Sequence, residues 1–186
     1  MKILMKTLYI ICSLIFLIYL ALPNINYPEK IKESIQSKEP ADTENILRRA
    51  YFTNYGRSEV INHYMNEYKL LGIFSSIRLN YPPEEAQVMI RDQTMSTYLE
   101  ELVYPFRESI YINGFEPKNM QDTIIIDGVN WQQKIIIKQV TSNVVLRFII
   151  GSSVVFLGYR IYNQFIYITK RSYSILRSIR KKENGR

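Results

Sequence analysis

Two apolar stretches, one toward each end, constrain this chain more than any other feature, because runs of that length must be covered by lipid or by protein. From Thr7 to Leu22 no side chain is charged. With Ile3 included and Lys6 reaching outward, the run supports about 30 Å of helix, the thickness of a bilayer core. Two lysines ahead of an apolar run also suit a cleaved signal peptide, but cleavage after Ala21 would place bulky Tyr19 third from the cut, and no Ala-x-Ala lies nearby. Residues 1–22 are therefore read as an uncleaved N-terminal transmembrane anchor.

Residues 144–168 are read as a second transmembrane helix, although Arg147 and Arg160 interrupt it. On a helix their Cα atoms lie about 20 Å apart, so each can snorkel to its own interface while Phe148 to Tyr159 stays in hydrocarbon. Tyr159, Tyr162 and Tyr167 fit an interfacial aromatic belt. The apolar residues surround the helix instead of marking one stripe, which argues against a buried helix of a soluble protein. Gly151, Ser152 and Gly158 offer small surfaces for close packing, either with the first helix or with a second protomer in a homo-oligomer.

Charge divides along the same boundaries. Residues 23–143 hold 13 basic and 16 acidic residues, net −3, whereas the remainder holds 11 basic residues and the single acid Glu183, net +10. The positive-inside rule then places both termini in the cytoplasm and residues 23–143 outside the cell membrane. The basic surplus thus speaks for topology and for membrane lipid as a partner, not for nucleic acid. In the basic tail, 169–186, Tyr173, Ile175, Leu176 and Ile179 alternate with cations, as in a short amphipathic helix on the inner leaflet. A frayed tail carrying topogenic charge explains the same residues.

Between the helices, residues 23–42 read as a polar stalk, rich in Pro, Asn and charge. Residues 43–143 read as a small extracytoplasmic α+β domain of helices and antiparallel sheet. Its first helix is expected over Thr43–Tyr51, and a firmer one is capped by Ser58, carries Val60, Ile61, Tyr64, Tyr68 and Leu71 on one face, and stops at Gly72. Alternation from Ile73 to Asn80 predicts a strand ended by Pro82 and Pro83. Pro83 suits the first turn of a helix that stops near Thr94, before strand-favouring Thr97, Tyr98 and Val103. A further strand spans Arg107 to Phe115, closed by Asn113-Gly114. Asp127-Gly128 between two apolar runs predicts a type I′ hairpin with Ile126 opposite Val129 and Ile124 opposite Trp131.

The chemistry-bearing residues are few. One Cys and one His exclude an intrachain disulfide and the usual zinc cages, and Cys12 lies within the first apolar run, so cysteine catalysis is not expected. His63 and Glu67 stand four apart on one predicted helix face and could share a proton or metal, a pattern that ordinary exposed helices also show. Glu100, Glu101 and Glu108 lie among Tyr98, Tyr104, Phe106 and Tyr111, which is the raw material of a carboxylate-dependent hydrolase. Half-exposed strand surfaces contain the same mixture. Of the eight most prominent outer aromatics, Tyr51, Phe52, Tyr55, Tyr64, Tyr68, Tyr81, Tyr104 and Trp131, most are assigned to packing, though such rings also bind peptide or glycan. The expectation is a non-enzymatic binding or assembly domain with no catalytic, metal or cofactor site, engaging an envelope protein, peptide or glycan. The alternative is a membrane-tethered hydrolase using Glu100 or Glu101 with Glu108.

Overall fold

The computed structural model describes residues 2–43, 45–89 and 95–183, with the side chains of residues 2, 3, 87 and 174–183 outside that description. Along the chain run α1 (Lys2–Ala21), β1 (Ile35–Gln36), α2 (Pro40–Thr43), β2 (Arg48–Thr53), α3 (Arg57–Glu67), β3 (Lys69–Leu70), β4 (Phe74–Ser75) and β5 (Ile77–Tyr81). There follow α4 (Ala86–Met89), β6 (Tyr98–Val103), β7 (Ser109–Phe115), β8 (Ile124–Ile126), β9 (Val129–Trp131), β10 (Gln133–Val140) and α5 (Val144–Glu183). Pro23–Ser142 forms one compact unit, and α1 with α5 belongs to another.

The first unit is built on a six-stranded antiparallel sheet of order β1-β2-β10-β7-β6-β5. Ile135, Ile136 and Ile137 in β10 are all buried, so this strand is covered on both faces, and its unbroken apolar run reflects that position. Ala50, Ile136, Asn113, Leu99 and Tyr81 form one row across β2, β10, β7, β6 and β5. Ala86 completes the buried cluster above this row, with Met89 packed against it. On the opposite face α3 buries Val60, Ile61 and Tyr64, and Arg57 in its first turn stands 4.9 Å from the Tyr98 ring.

Several sequence expectations change. The helix expected over Thr43–Tyr51 is not found: Thr43 is the last residue of α2, and residue 44 lies outside the described residues. Arg48–Thr53 is strand β2, held between β1 and β10, and both of its faces are covered, which erases the alternation that marks a half-buried strand. Nor are residues 23–42 a free stalk. Ile31, Ser34 and Ser37 are buried, β1 joins the sheet edge, and the Tyr27 hydroxyl donates to the Ile137 carbonyl at 3.0 Å. Helix α3 begins one residue before Ser58, with Glu59 reaching back to the Gly56 N–H at 2.8 Å, and ends at Glu67. Gly72 instead serves the β3–β4 turn beside Leu71, both with positive φ, and Leu71 is exposed. Ser76 splits the predicted 73–80 strand into β4 and β5.

Pro83 does open a helical segment, a 3-10 turn leading into α4, while its predicted end near Thr94 lies outside the described residues. Tyr98–Val103 is a strand, as its composition implies. Asn113-Gly114 lies inside β7 and does not end it. Gly114 is required there because a Cβ would come within 2.1 Å of the Tyr98 ring. The Asp127-Gly128 hairpin has the expected register and positive φ at both central residues, 52° and 78°. Its second strand bends at Gln132 before β10, so the hairpin stands apart from the main sheet.

In the other unit, α1 and α5 are both long and apolar enough to cross a membrane, with candidate spans Leu4–Ala21 and Val144–Tyr173 of mean hydropathy 2.1 and 1.7. Asn143 caps α5 by accepting from the N–H groups of Val145 and Leu146 at 2.9 and 3.1 Å. The helix does not end at 168 but continues to Glu183, so the basic tail is helical in its backbone over 169–183. Two of the small residues, Gly151 and Gly158, lie against α1 of the same chain. A Cβ on Gly151 would come within 2.2 Å of Leu20 Cδ1, and one on Gly158 within 3.1 Å of the Tyr9 hydroxyl. That hydroxyl donates to the Val155 carbonyl at 2.5 Å.

Arg147 corrects another expectation. It is only 6% exposed, donating from Nε to the Leu20 carbonyl at 2.8 Å and from Nη2 to that of Leu22. Instead of snorkelling, it satisfies carbonyls that the end of α1 leaves unpaired and places a cation at the negative pole of that helix.

Candidate functional site

Alternation along β6 turns Glu100 and Glu101 toward opposite faces of the sheet. Glu100 lies under α3 and is fully buried. Arg57 Nε donates to its Oε1 at 2.9 Å, and Arg78 donates from Nε to Oε2 at 2.6 Å and from Nη2 to Oε1 at 2.7 Å. Burial alone would raise its pKa, but the hydrogen bonds and charges of Arg78 and Arg57 outweigh burial and hold the carboxyl below its ordinary value. Such a group is a committed anion, the opposite of a general acid kept protonated near neutral pH.

Glu101, on the other face, accepts from the Tyr81 hydroxyl at 2.6 Å. That hydrogen bond, with burial and the carboxylate charge, pushes the Tyr81 phenol well above its usual value. Glu108 belongs to a third network. Both its side chain and that of Arg107 are inaccessible to solvent. Its Oε1 accepts from Arg107 Nη2 at 2.7 Å and from the Ile25 N–H at 3.1 Å, while Arg107 Nη2 also donates to the Pro23 carbonyl at 2.7 Å. The three acids proposed from sequence as hydrolase candidates are thus held in separate networks and do not line one cleft.

His63 and Glu67 do share α3, but the His63 ring bonds elsewhere, its Nε2 lying 3.1 Å from the Glu29 carbonyl. Among the described residues no group of three or more His, Cys, Asp or Glu is placed to hold a metal ion. Six of the eight outer aromatics, Tyr51, Phe52, Tyr64, Tyr68, Tyr104 and Trp131, are buried, and Tyr55 and Tyr81 are half-buried. No family model, curated protein or solved structure matches this chain.

The acids instead converge on structural joints, and the most developed joint surrounds the β6–β7 turn. The Arg107 N–H donates to the Tyr104 carbonyl at 2.9 Å. Pro105 stands second in this turn and Phe106 third with φ +64°, the type II pattern. The Tyr104 hydroxyl accepts from the Leu70 N–H at 2.9 Å and lies 2.9 and 2.5 Å from the carbonyls of Tyr68 and Phe74, so it clamps the β3–β4 hairpin. Asn24 Nδ2 donates to the Ser142 carbonyl at 2.9 Å, tying the second residue of this unit to its last. Tyr104 is separated by 30 to 36 residues from the groups it clamps, and Asn24 by 118 from Ser142, which is why spacing alone did not reveal these joints.

The described residues also line recesses. One of about 310 Å³ is lined by Pro83, Thr97, Phe115, Glu116, Lys118 and Asp122, among other residues, with mixed charge. Another, about 430 Å³, lies between α1 and α5 against Met5, Tyr162, Phe165, Ile166, Lys170 and Tyr173. Its lining is apolar with a cation and phenols.

Proposed function

We propose that this chain is a two-pass membrane protein with both termini in the cytoplasm, presenting the Pro23–Ser142 unit outside as a non-enzymatic binding or assembly module. The two long apolar helices and the charge division support the membrane arrangement. One observation carries the non-enzymatic reading: the carboxylates best suited to catalysis are consumed by Arg57 with Arg78, by Tyr81, and by Arg107 with the Ile25 N–H. An envelope protein, peptide or glycan is the class of partner such a module takes. One edge of its sheet is β5, where Ile77 and Leu79 are exposed and which has no further strand beside it among the described residues.

The test uses a photoreactive residue at Leu79 in intact membranes. A discrete crosslinked adduct that persists in Glu101→Gln supports a binding module. Cleavage of envelope polymer by the purified chain, abolished in a folded Glu101→Gln variant, would establish the hydrolase instead.

A further inference from the structure

The Pro23–Ser142 unit concentrates exposed apolar side chains at two turns that the structure joins. In the β3–β4 turn Leu71, Ile73 and Phe74 are 61, 75 and 59% exposed, and in the β6–β7 turn Phe106 is 75% exposed. Leu71 and Phe106 occupy positive-φ positions, 54° and 64°, that Gly, Asn or Asp fill at less steric cost. The Tyr104 hydroxyl bonds backbone groups of Leu70 and Phe74, locking the two turns together.

The same pole is where the chain enters and leaves the unit. Arg107, next to Phe106, donates to the Pro23 carbonyl, and Glu108 accepts from the Ile25 N–H. Ser142 is bonded to Asn24. Ile77, Val103, Ser109 and Val140 form the last row of the sheet at this end, with Ile77 and Val140 exposed. Pro23 directly follows the residue after α1, and Asn143 directly precedes α5. Exposed apolar side chains beside both chain entries suit a surface that touches lipid instead of water.

We infer that this pole is a lipid-docking surface, with Leu71, Ile73, Phe74 and Phe106 seated at the boundary between headgroups and acyl chains. The inference rests on the two-pass membrane reading. Docking would hold the module at the bilayer and leave the opposite pole, with Met120, to face outward.

Single cysteines are placed in a Cys12→Ser background of the full chain, as Ile73→Cys, Phe106→Cys and, for contrast, Met120→Cys, which replaces a residue 97% exposed. Each is labelled with a small fluorophore and reconstituted in phosphatidylcholine–phosphatidylglycerol vesicles. Labels at residues 73 and 106 are expected to be quenched by lipids bearing a nitroxide high on the acyl chain, and several-fold less than the label at 120 by aqueous iodide. Iodide access equal to that at 120 would overturn the proposal. Shielding from both quenchers would overturn it too, assigning the surface to a protein. Extraction of the chain from vesicles by alkaline carbonate would refute the membrane reading itself, separately from the docking. Because 73 and 106 lie in different turns, a folding failure in one variant leaves the other to decide.

Discussion

At the scale of single residues, the acids separate by what they leave behind when neutralised. Arg107 and Glu108 are both inaccessible to solvent, so Glu108→Gln strands a buried guanidinium and is expected to cost roughly 3–5 kcal/mol. Glu101→Gln removes one charge-assisted hydrogen bond from Tyr81 and is expected to cost about 1–2 kcal/mol. Denaturant unfolding of the full chain in detergent compares the two, and equal losses would contradict the separate networks. Glu100 adds a pH dependence. Its folded pKa lies below the ordinary 4.5, so its ion pairs contribute stability above that value and lose it as pH falls through the depressed pKa. Glu100→Gln is therefore expected to flatten the acid limb of the stability profile while leaving the alkaline limb alone. Tyr81 works with the opposite sign: its raised phenol contributes below about pH 10 and loses that contribution as pH rises further.

At the scale of elements, two glycines distinguish close approach from backbone freedom. Gly114 has negative φ, but Tyr98 packs where its Cβ would be, and that ring is held by Arg57 and by a hydroxyl bond to Gln133 at 2.7 Å. Gly114→Ala is expected to cost about 1–3 kcal/mol through overpacking of β6 against β7. Gly128 has open space around it, so Gly128→Val should cost about 1 kcal/mol from turn strain alone. Thermal unfolding of both variants checks the order. In the same hairpin Trp131 is 8% exposed, and Trp131→Ala is expected to cost about 3–5 kcal/mol. Unchanged unfolding with lost partner capture would make Trp131 a binding anchor instead. The hairpin was legible because Asp-Gly announces a turn with two positive φ angles. Leu71-Gly72 makes a turn of the same kind, yet its leucine disguised it as the end of a helix.

For the molecule as a whole, Arg147 and the glycines make the helix pair a packed object within one chain. Arg147→Leu leaves the carbonyls of Leu20 and Leu22 without their guanidinium and should lower the stability of the pair in detergent by about 1–3 kcal/mol. Fluorescence energy transfer between probes on α1 and α5 reads that loss directly. The charge division carries a separate expectation: protease outside spheroplasts cuts within 23–142 while a C-terminal tag stays protected. Digestion of the tag would contradict the inward C-terminus.

What the amino-acid order determined by itself is whatever depends on neighbours in the chain: the two apolar helices, the apolar face of α3, the Asp127-Gly128 register and the strand character of Tyr98–Val103. Each rests on local periodicity, on turn stereochemistry or on a run of apolar side chains, which short segments express without help. Tertiary structure decided the rest. The helix expected over Thr43–Tyr51 yielded, from Arg48 on, to β2 because sheet partners on both sides satisfy that strand's backbone, and residues 23–42 became part of the core because Ile31 and Tyr27 found cover there. The fate of Glu100, Glu101 and Glu108 was equally illegible, since Arg57, Tyr81 and Ile25 lie far away in sequence. A carboxylate's chemistry is set by the charges and donors that folding brings to it, and no spacing along the chain encodes them.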